Sequence, residues 1–169
     1  LSQAAAADRV VLLDAGRVDL ALSLADSASA ARSRDDLVAI ARVYQNYLQC
    51  IVRSADGMTS LGDLARRTVS LGASGSGAAA TARRLLDAAG LTATPEAPLT
   101  VERPFRDAID DLERGRIDAL FWSGGVPTPQ IAELADRTSI RVLDTTPVLP
   151  ELLRRYPDAY VSTTIPAGV

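Results

Sequence analysis

The sequence of 169 residues contains no histidine and no lysine, because arginine supplies all 18 of its basic side chains. A serine or cysteine nucleophile normally needs a neighbouring histidine or lysine base, so the usual hydrolase triads are excluded. Schiff-base chemistry and the phosphate-binding P-loop need lysine and are excluded for the same reason. The sequence therefore favours non-covalent binding over catalysis, and it predicts no cofactor.

Cysteine and aromatic residues are also scarce, and the net charge is small. The single Cys50 allows neither a zinc site nor an internal disulfide, and its apolar surroundings predict a buried thiol. No metal site is predicted. Aromatic residues make up 4% of the chain and the formal charge is −3, which argues against a nucleic-acid surface. No apolar run is long enough to span a membrane, and residues 1–4 lack the pattern of a signal peptide.

Hydrophobic spacing, with glycine and proline as stop signals, predicts alternating helices and strands and hence an α/β fold. Helices are predicted at 2–14, 76–89, 104–114, 129–137 and 148–155. Strands are predicted at 17–24, 37–43, 47–53, 67–71, 99–102, 116–122 and 140–143, with an extended segment at 159–164. Ser60 and Asp63 resemble a capping box that opens a short helix.

One pattern occurs twice, at residues 13–22 and 112–121. In each copy a helix stops at glycine, continues through arginine and places an aspartate before an apolar strand. Gly16 and Gly115 lie 99 positions apart, which is too long for a solenoid repeat and suits two similar lobes. Two α/β lobes that face one another form a cleft. The alternative is that both copies are the ordinary junction between a helix and a strand.

The segment 69–82 places a glycine-rich loop between a predicted strand and a predicted helix. Its glycines allow close backbone approach, and the free N–H groups at a helix start attract an anion such as a carboxylate or phosphate. The predicted ligand-binding residues here are Ser74, Gly75, Ser76, Gly77 and Ala78. The same segment also fits a dinucleotide-binding pattern, Gly75-x-Gly77-x-x-Ala80, although the region near Glu96 starts no clear second strand.

A second loop, at 123–129, also joins the end of a predicted strand to a helix start. Ligands of open α/β sheets bind at the carboxyl ends of the strands, and both loops occupy such ends. The predicted binding residues of this loop are Gly125, Val126, Pro127 and Thr128. Tyr44 and Asn46, in a polar break between two strands, are predicted to add hydrogen bonds from the other lobe, unless they form only a hinge. Trp122 either lines the pocket or fills the core.

Several of these segments, in this order, resemble the TAXI solute-binding proteins of tripartite ATP-independent periplasmic (TRAP) transporters. The similar segments are 69–91, 115–119, 125–128 and 156–168. The resemblance implies a type II periplasmic-binding fold with two lobes joined by hinge strands. It also implies a non-enzymatic, extracytoplasmic protein that delivers a small organic acid or amino acid, such as glutamate or 2-oxoglutarate, to a TRAP membrane permease. A removed N-terminal segment could serve as a membrane anchor.

The resemblance further implies the organisation of the chain. Residues 1–53 correspond to a partial first lobe with a hinge strand, 54–145 to a complete second lobe, and 146–169 to a return segment. Family members begin with a glycine-rich, tyrosine-containing loop that completes the ligand site from the first lobe, and they continue beyond Gly168, so a chain truncated at both ends is expected. Two alternatives stay open: a nucleotide-binding α/β enzyme that uses the Gly75 loop, and a self-associating lobe without a ligand.

Overall fold

The computed structural model describes residues 6–30, 38–157 and 159–165, and these ranges contain six α-helices and five β-strands. The helices are α1 (Ala6–Asp14), α2 (Ala25–Ala30), α3 (Gly77–Ala88), α4 (Phe105–Glu113), α5 (Pro129–Arg137) and α6 (Leu149–Arg155). The strands are β1 (Tyr47–Arg53), β2 (Thr68–Ser70), β3 (Leu99–Val101), β4 (Ala119–Gly124) and β5 (Ile140–Val142). Short 3₁₀ helices span Ser54–Asp56, Leu61–Leu64 and Thr146–Val148.

The five strands form one mixed sheet in the order β3-β2-β4-β1-β5. β2 runs parallel to both β3 and β4, whereas β1 runs antiparallel to β4 and β5. Tyr47, at the amino end of β1, lies opposite Gly124, at the carboxyl end of β4. The segment before β1 therefore lies at the same end of the strands as the loops that follow β2, β3 and β4.

Helices cover both faces of the sheet, and successive strand residues point to opposite faces. On one face Val52 and Phe121 pack with residues of α3 and α6. On the other face Ile51 and Leu120 pack with residues of α4 and α5. Cys50 is fully buried on the first face, and this burial raises the pKa of its thiol, as expected for a core cysteine.

The predicted capping box is confirmed at the 3₁₀ helix Leu61–Leu64. The Asp63 carboxylate accepts hydrogen bonds from the backbone N–H groups of Thr59 and Ser60, each at 2.9 Å. These bonds lower the pKa of Asp63, because they stabilise its charged form. Pro104 differs slightly from its prediction, since it is the residue before the first turn of α4 rather than within it.

The two copies of the repeated pattern end their helices in the same way. Gly16 and Gly115 have φ values of +65° and +69°, the left-handed region that glycine adopts without strain. Gly16 N–H bonds to Leu13 O at 3.0 Å and the next N–H bonds to Leu12 O at 3.0 Å. At Gly115 the matching bonds have lengths of 3.1 and 2.8 Å. Both helix ends are therefore Schellman motifs.

The strand predicted at 116–122 is present as β4 and begins at Ala119, whereas the strand predicted at 17–24 is wrong. No regular structure forms at 17–24, where Leu20 is 71% exposed. The strand predicted at 37–43 is also wrong for residues 38–43, while Leu37 lies outside the described residues. Both segments have strand-like patterns, but within the described part of the chain they have no neighbouring strand to bond with. The short helix α2 was not predicted.

The segment predicted to be extended at 159–164 is not part of the sheet. The first four residues of the helix predicted at 2–14 fall outside the described part of the chain, as does residue 158. Within that part, no helix is both long and apolar enough to cross a membrane.

Candidate functional site

An open cleft of about 570 Å³ lies at the carboxyl ends of β2 and β4. One wall is the loop between β2 and α3, contributed by Gly72, Ala73, Ser74, Ser76, Gly77 and Ala78. Aromatic rings form a second group, contributed by Tyr44, Phe105, Phe121 and Trp122. The remaining lining residues are Leu22, Ser23, Leu24, Asn46, Ala108 and Ser123.

The loop after β2 has a tight backbone turn at Gly72. Its φ is +109°, and a Cβ atom at this position would lie 3.3 Å from Ser76 Oγ. The Gly72 carbonyl accepts a hydrogen bond of 3.0 Å from the Arg103 N–H, which follows β3. Glycine is needed at this position both for the backbone conformation and for the space around the start of α3.

The start of α3 presents free backbone donors to the cleft. Ser76 caps the helix, because its Oγ accepts the Ala79 N–H at 3.1 Å. The N–H groups of Gly77 and Ala78 have no hydrogen-bond acceptor among residues 6–30, 38–157 and 159–165. Because a helix start also carries a partial positive charge, these two N–H groups can bind a carboxylate, sulfonate or phosphate oxygen.

Ser74 lies on the same loop, and its hydroxyl is bonded to the carboxylate of Glu102. This bond and the ion pair with Arg83 lower the pKa of Glu102. Ser74 also lines the cleft, and its role as a donor to a ligand stays a prediction. The Glu102 carboxylate thus interacts with both Arg83 and Ser74.

The second loop holds Trp122 in place. The Trp122 Nε1–H donates to Thr128 Oγ1 at 3.0 Å, and the Thr128 hydroxyl donates to Gly125 O at 2.7 Å. A Cβ atom on Gly124 would lie 2.6 Å from Trp122 Nε1, so only glycine fits against the indole. Phe105 stacks on Trp122 with ring centroids 3.7 Å apart. Trp122 thus both lines the cleft and packs against the core beneath it.

Six of the eleven predicted site residues line the cleft together: Tyr44, Asn46, Ser74, Ser76, Gly77 and Ala78. The other five are not in its lining: Gly75, Gly125, Val126, Pro127 and Thr128. Gly75 lies in the turn before α3, and the Val126–Pro127 peptide of the second loop is cis. The second loop acts on the cleft indirectly, since Thr128 fixes the ring of Trp122. The binding roles of these residues stay predictions.

Sequence reasoning missed Phe105 and Phe121 as lining residues. A signal for Phe105 was available, because it opens α4 directly after Pro104 at the carboxyl side of β3. Phe121 belongs to a buried strand whose apolar residues are equally consistent with a core. The side that each ring faces depends on the sheet order, which the residue pattern alone does not define.

A buried polar cluster behind the cleft was also missed. Asp26 of α2 is 3% exposed, and its Oδ2 accepts hydrogen bonds from the hydroxyls of Thr81 and Tyr160, both at 2.7 Å. The Arg84 guanidinium lies 2.9 Å from the same oxygen. We name these four residues the Asp26 cluster. It joins α2, α3 and the segment after α6 at one point.

The charges in the Asp26 cluster stabilise one another. Burial raises the pKa of Tyr160 to about 12, and the neighbouring Asp26 carboxylate acts in the same direction. Burial alone would lower the pKa of Arg84, but its contacts with Tyr160 and Asp26 outweigh this effect and raise it. Arg84 therefore stays charged and balances the buried Asp26 carboxylate.

The structure also bears on a metal site and on a dinucleotide-binding site. Within the described residues, no group of three or more cysteine, aspartate or glutamate side chains could hold a metal ion. Glu96, near the position where a dinucleotide fold would need its ribose-binding carboxylate, pairs with Arg66 before the amino end of β2. It lies away from the loop that would bind the cofactor. Glu102, at the carboxyl end of β3, is already paired with Arg83.

A mixed sheet with helices on both faces and a cleft at its strand ends defines an α/β fold of the type II periplasmic binding class. The solved structures similar to this chain include the periplasmic aliphatic sulphonate binding protein SsuA from Escherichia coli. That match has 22% identity and a TM-score of 0.56, and it covers 83% of this chain and 47% of SsuA. The chain thus spans about half the length of that protein.

Two further structures have the same fold. The amino acid ABC transporter substrate-binding protein AbpA from Streptococcus pneumoniae, bound to L-arginine, is 18% identical with a TM-score of 0.51, covering 94% of this chain and 72% of AbpA. An ABC transporter periplasmic binding protein from Brucella ovis, with glutathione bound, is 14% identical with a TM-score of 0.53, covering 85% of this chain and 44% of that chain. The sequence model of the NMT1-like family matches residues 1–169, and this protein belongs to that family.

Proposed function

We propose that this chain is part of an extracytoplasmic solute-binding protein that captures a small organic anion and delivers it to a membrane permease. The observation that carries the proposal is the start of α3, where the N–H groups of Gly77 and Ala78 lack acceptors among the described residues and border the cleft. The shared fold of the periplasmic binding proteins supports it. A periplasmic location follows from the same proposal.

We assign residues 54–145 to the second lobe of such a protein, 1–53 to part of the first lobe with a hinge strand, and 146–169 to a return segment. Two features support this division. The amino end of β1 lies at the edge of the cleft, and Tyr44 and Asn46 just before it line the cleft. The Asp26 cluster fastens α2 and the segment after α6 to α3. Ligand binding would close the two lobes around this hinge.

The finer proposal is that the transporter is of the TRAP type and that the ligand is an acid such as glutamate or 2-oxoglutarate. The resemblance of segments 69–91 and 156–168 to TAXI proteins supports it. Uptake into proteoliposomes that contain a TRAP permease, driven by an ion gradient without ATP, would bear out this assignment. A strict requirement for ATP and an ABC permease would overturn the TRAP assignment and leave the binding function intact.

The binding site is tested by calorimetric titration of the protein with organic acids, using two variants of equal size. Ser76→Asp and Ser76→Asn both keep an oxygen that can cap α3, so their stabilities should agree within about 0.5 kcal/mol. Only Ser76→Asp places a negative charge beside the bound anion, and its affinity should fall at least about tenfold below that of Ser76→Asn. Equal affinities would locate the site elsewhere.

A second candidate is self-association through the segments 17–24 and 38–43. Their apolar side chains are strongly exposed, with Leu20 at 71%, Val38 at 80% and Ile40 at 75%. Two copies could associate through these segments, because exposed apolar side chains promote such contacts. Light scattering over a range of protein concentrations tests this. A single monomer mass at all concentrations contradicts it.

A further inference from the structure

We propose that the cleft selects acids that carry an anionic group but no ammonium group, on a flat or apolar body. This inference rests on the proposed function and narrows its ligand class. The cleft should bind oxo acids or sulfonates more tightly than the corresponding amino acids. Three observations lead to it: the absence of charged side chains from the lining, the donors at the start of α3, and the aromatic rings.

The lining of the cleft contains no charged side chain among the residues that the structure describes. Three charged residues near it along the chain are paired elsewhere. Glu102 is held by Arg83 and Ser74, and Arg103 Nε lies 3.5 Å from Asp111. Asp26 is buried in its own cluster with Arg84. The described lining therefore offers a ligand hydrogen bonds and apolar contacts but no counter-ion.

This lining favours the carboxylate end of an amino acid and disfavours its ammonium end. A carboxylate can be bound by backbone N–H groups at a helix start, as those of Gly77 and Ala78 are placed to do. An ammonium group needs a carboxylate or several carbonyl acceptors, and burying it without them carries a large desolvation penalty. Replacing the ammonium group by a carbonyl oxygen removes that penalty and leaves the anionic end unchanged.

The aromatic rings indicate the shape of the ligand body. Trp122 is fixed from three directions, by Phe105 through stacking, by Thr128 through a hydrogen bond and by close contact with Gly124. A ring that is already fixed loses little conformational freedom when a ligand packs against it. With Phe105 stacked on it and also in the lining, this surface suits a phenyl or branched aliphatic group.

The test uses pairs of ligands that differ only in the ammonium group. Calorimetric titrations compare phenylpyruvate with phenylalanine, 4-methyl-2-oxopentanoate with leucine, and 2-oxoglutarate with glutamate. Each oxo acid should bind at least about tenfold more tightly than its amino acid. Equal or tighter binding of the amino acids overturns this inference but preserves the proposed function. If none of the six acids binds, the proposed function fails, and this inference fails with it.

A matched pair of variants tests the absence of charge directly. Asn46 lines the cleft, whereas Gln45 beside it is exposed and outside the lining. Asn46→Asp should weaken phenylpyruvate binding about tenfold and shift the preference towards phenylalanine, because it supplies the missing carboxylate. Gln45→Glu makes the same chemical change outside the cleft and should alter both affinities less than about twofold. An unchanged preference in Asn46→Asp contradicts the inference.

Discussion

The two copies of the repeated pattern share a helix ending and then differ completely. In the second copy the chain passes from the Schellman motif at Gly115 into β4, where Ala119, Leu120 and Phe121 are at most 1% exposed. In the first copy the same motif at Gly16 leads into a segment without a strand, and Leu22, the counterpart of Phe121, is 59% exposed. The helix ending is local, whereas the strand depends on its neighbours.

β4 forms because it lies between two other strands. It pairs with β2 on one side and with β1 on the other. Asp118 contributes as well, since its carboxylate accepts the N–H of Thr68, the first residue of β2, at 2.8 Å. Residues 17–24 have no neighbouring strand in the described part of the chain, so their alternating pattern produces no strand. A strand pattern therefore indicates a capacity to pair and does not establish a strand.

The largest difference should appear on removing the side chains of Phe121 and Leu22. Phe121→Ala should lower the free energy of unfolding by about 3 to 5 kcal/mol, because it leaves a cavity in the core. Leu22→Ala should change it by less than about 0.5 kcal/mol, because that side chain is mostly exposed. Urea unfolding measures both values. A similar loss in the two variants would mean that the first copy is packed as tightly as the second.

The next test concerns the Asp26 cluster, which fastens the region after the first copy to α3. Asp26→Ala should cost about 2 to 3 kcal/mol, because it leaves the Arg84 guanidinium, whose side chain is only 18% exposed, without its carboxylate partner. Amide hydrogen exchange in α2 should then rise towards that of residues 17–24. Ser27→Ala, which removes a weaker bond of 3.2 Å to the same carboxylate, serves as the control. Unchanged exchange in α2 would show that other contacts hold it.

A smaller effect is expected at the two glycines that end α1 and α4. Alanine at either position carries the same backbone strain, about 1 to 2 kcal/mol, because both residues have positive φ and open space around them. Gly115→Ala should lower global stability by this amount, since Gly115 leads directly into β4. Gly16→Ala should have less than half that effect, because the segment that follows it is not part of the sheet. Equal losses, measured in urea, would contradict this distinction.

The features predicted correctly from the sequence are those determined within a few residues. They include the glycine stops at Gly16 and Gly115 and the capping box at Asp63. The bounds of β1 also agree with the predicted strand. Each depends on backbone geometry or on apolar alternation that can be read directly from neighbouring residues.

The features that sequence reasoning missed depend on residues far apart in the chain. Asp26 meets Tyr160 across 134 positions. Ser74 helps to lower the pKa of Glu102, which follows a different strand, and Thr128 Oγ1 accepts the indole N–H of Trp122. A hydroxyl near a predicted site is therefore a weak indication of a ligand contact until its partners within the protein are known.

The smallest expected effect concerns the surface ion pairs of α6. Arg154 and Arg155 lower the pKa of the Glu151 carboxyl from its ordinary 4.5 to about 2. Because the pKa is lower in the folded protein, these pairs stabilise it above pH 4.5, and the stabilisation is lost as the pH falls from 4.5 to about 2. Glu151→Gln should remove this part of the acid destabilisation and change little at pH 7, because Glu151 is accessible to solvent. Unfolding midpoints of both proteins at several pH values measure it. If Glu151→Gln lowered stability at pH 7 as much as Phe121→Ala does, surface charge would matter as much as strand neighbours in holding the sheet together.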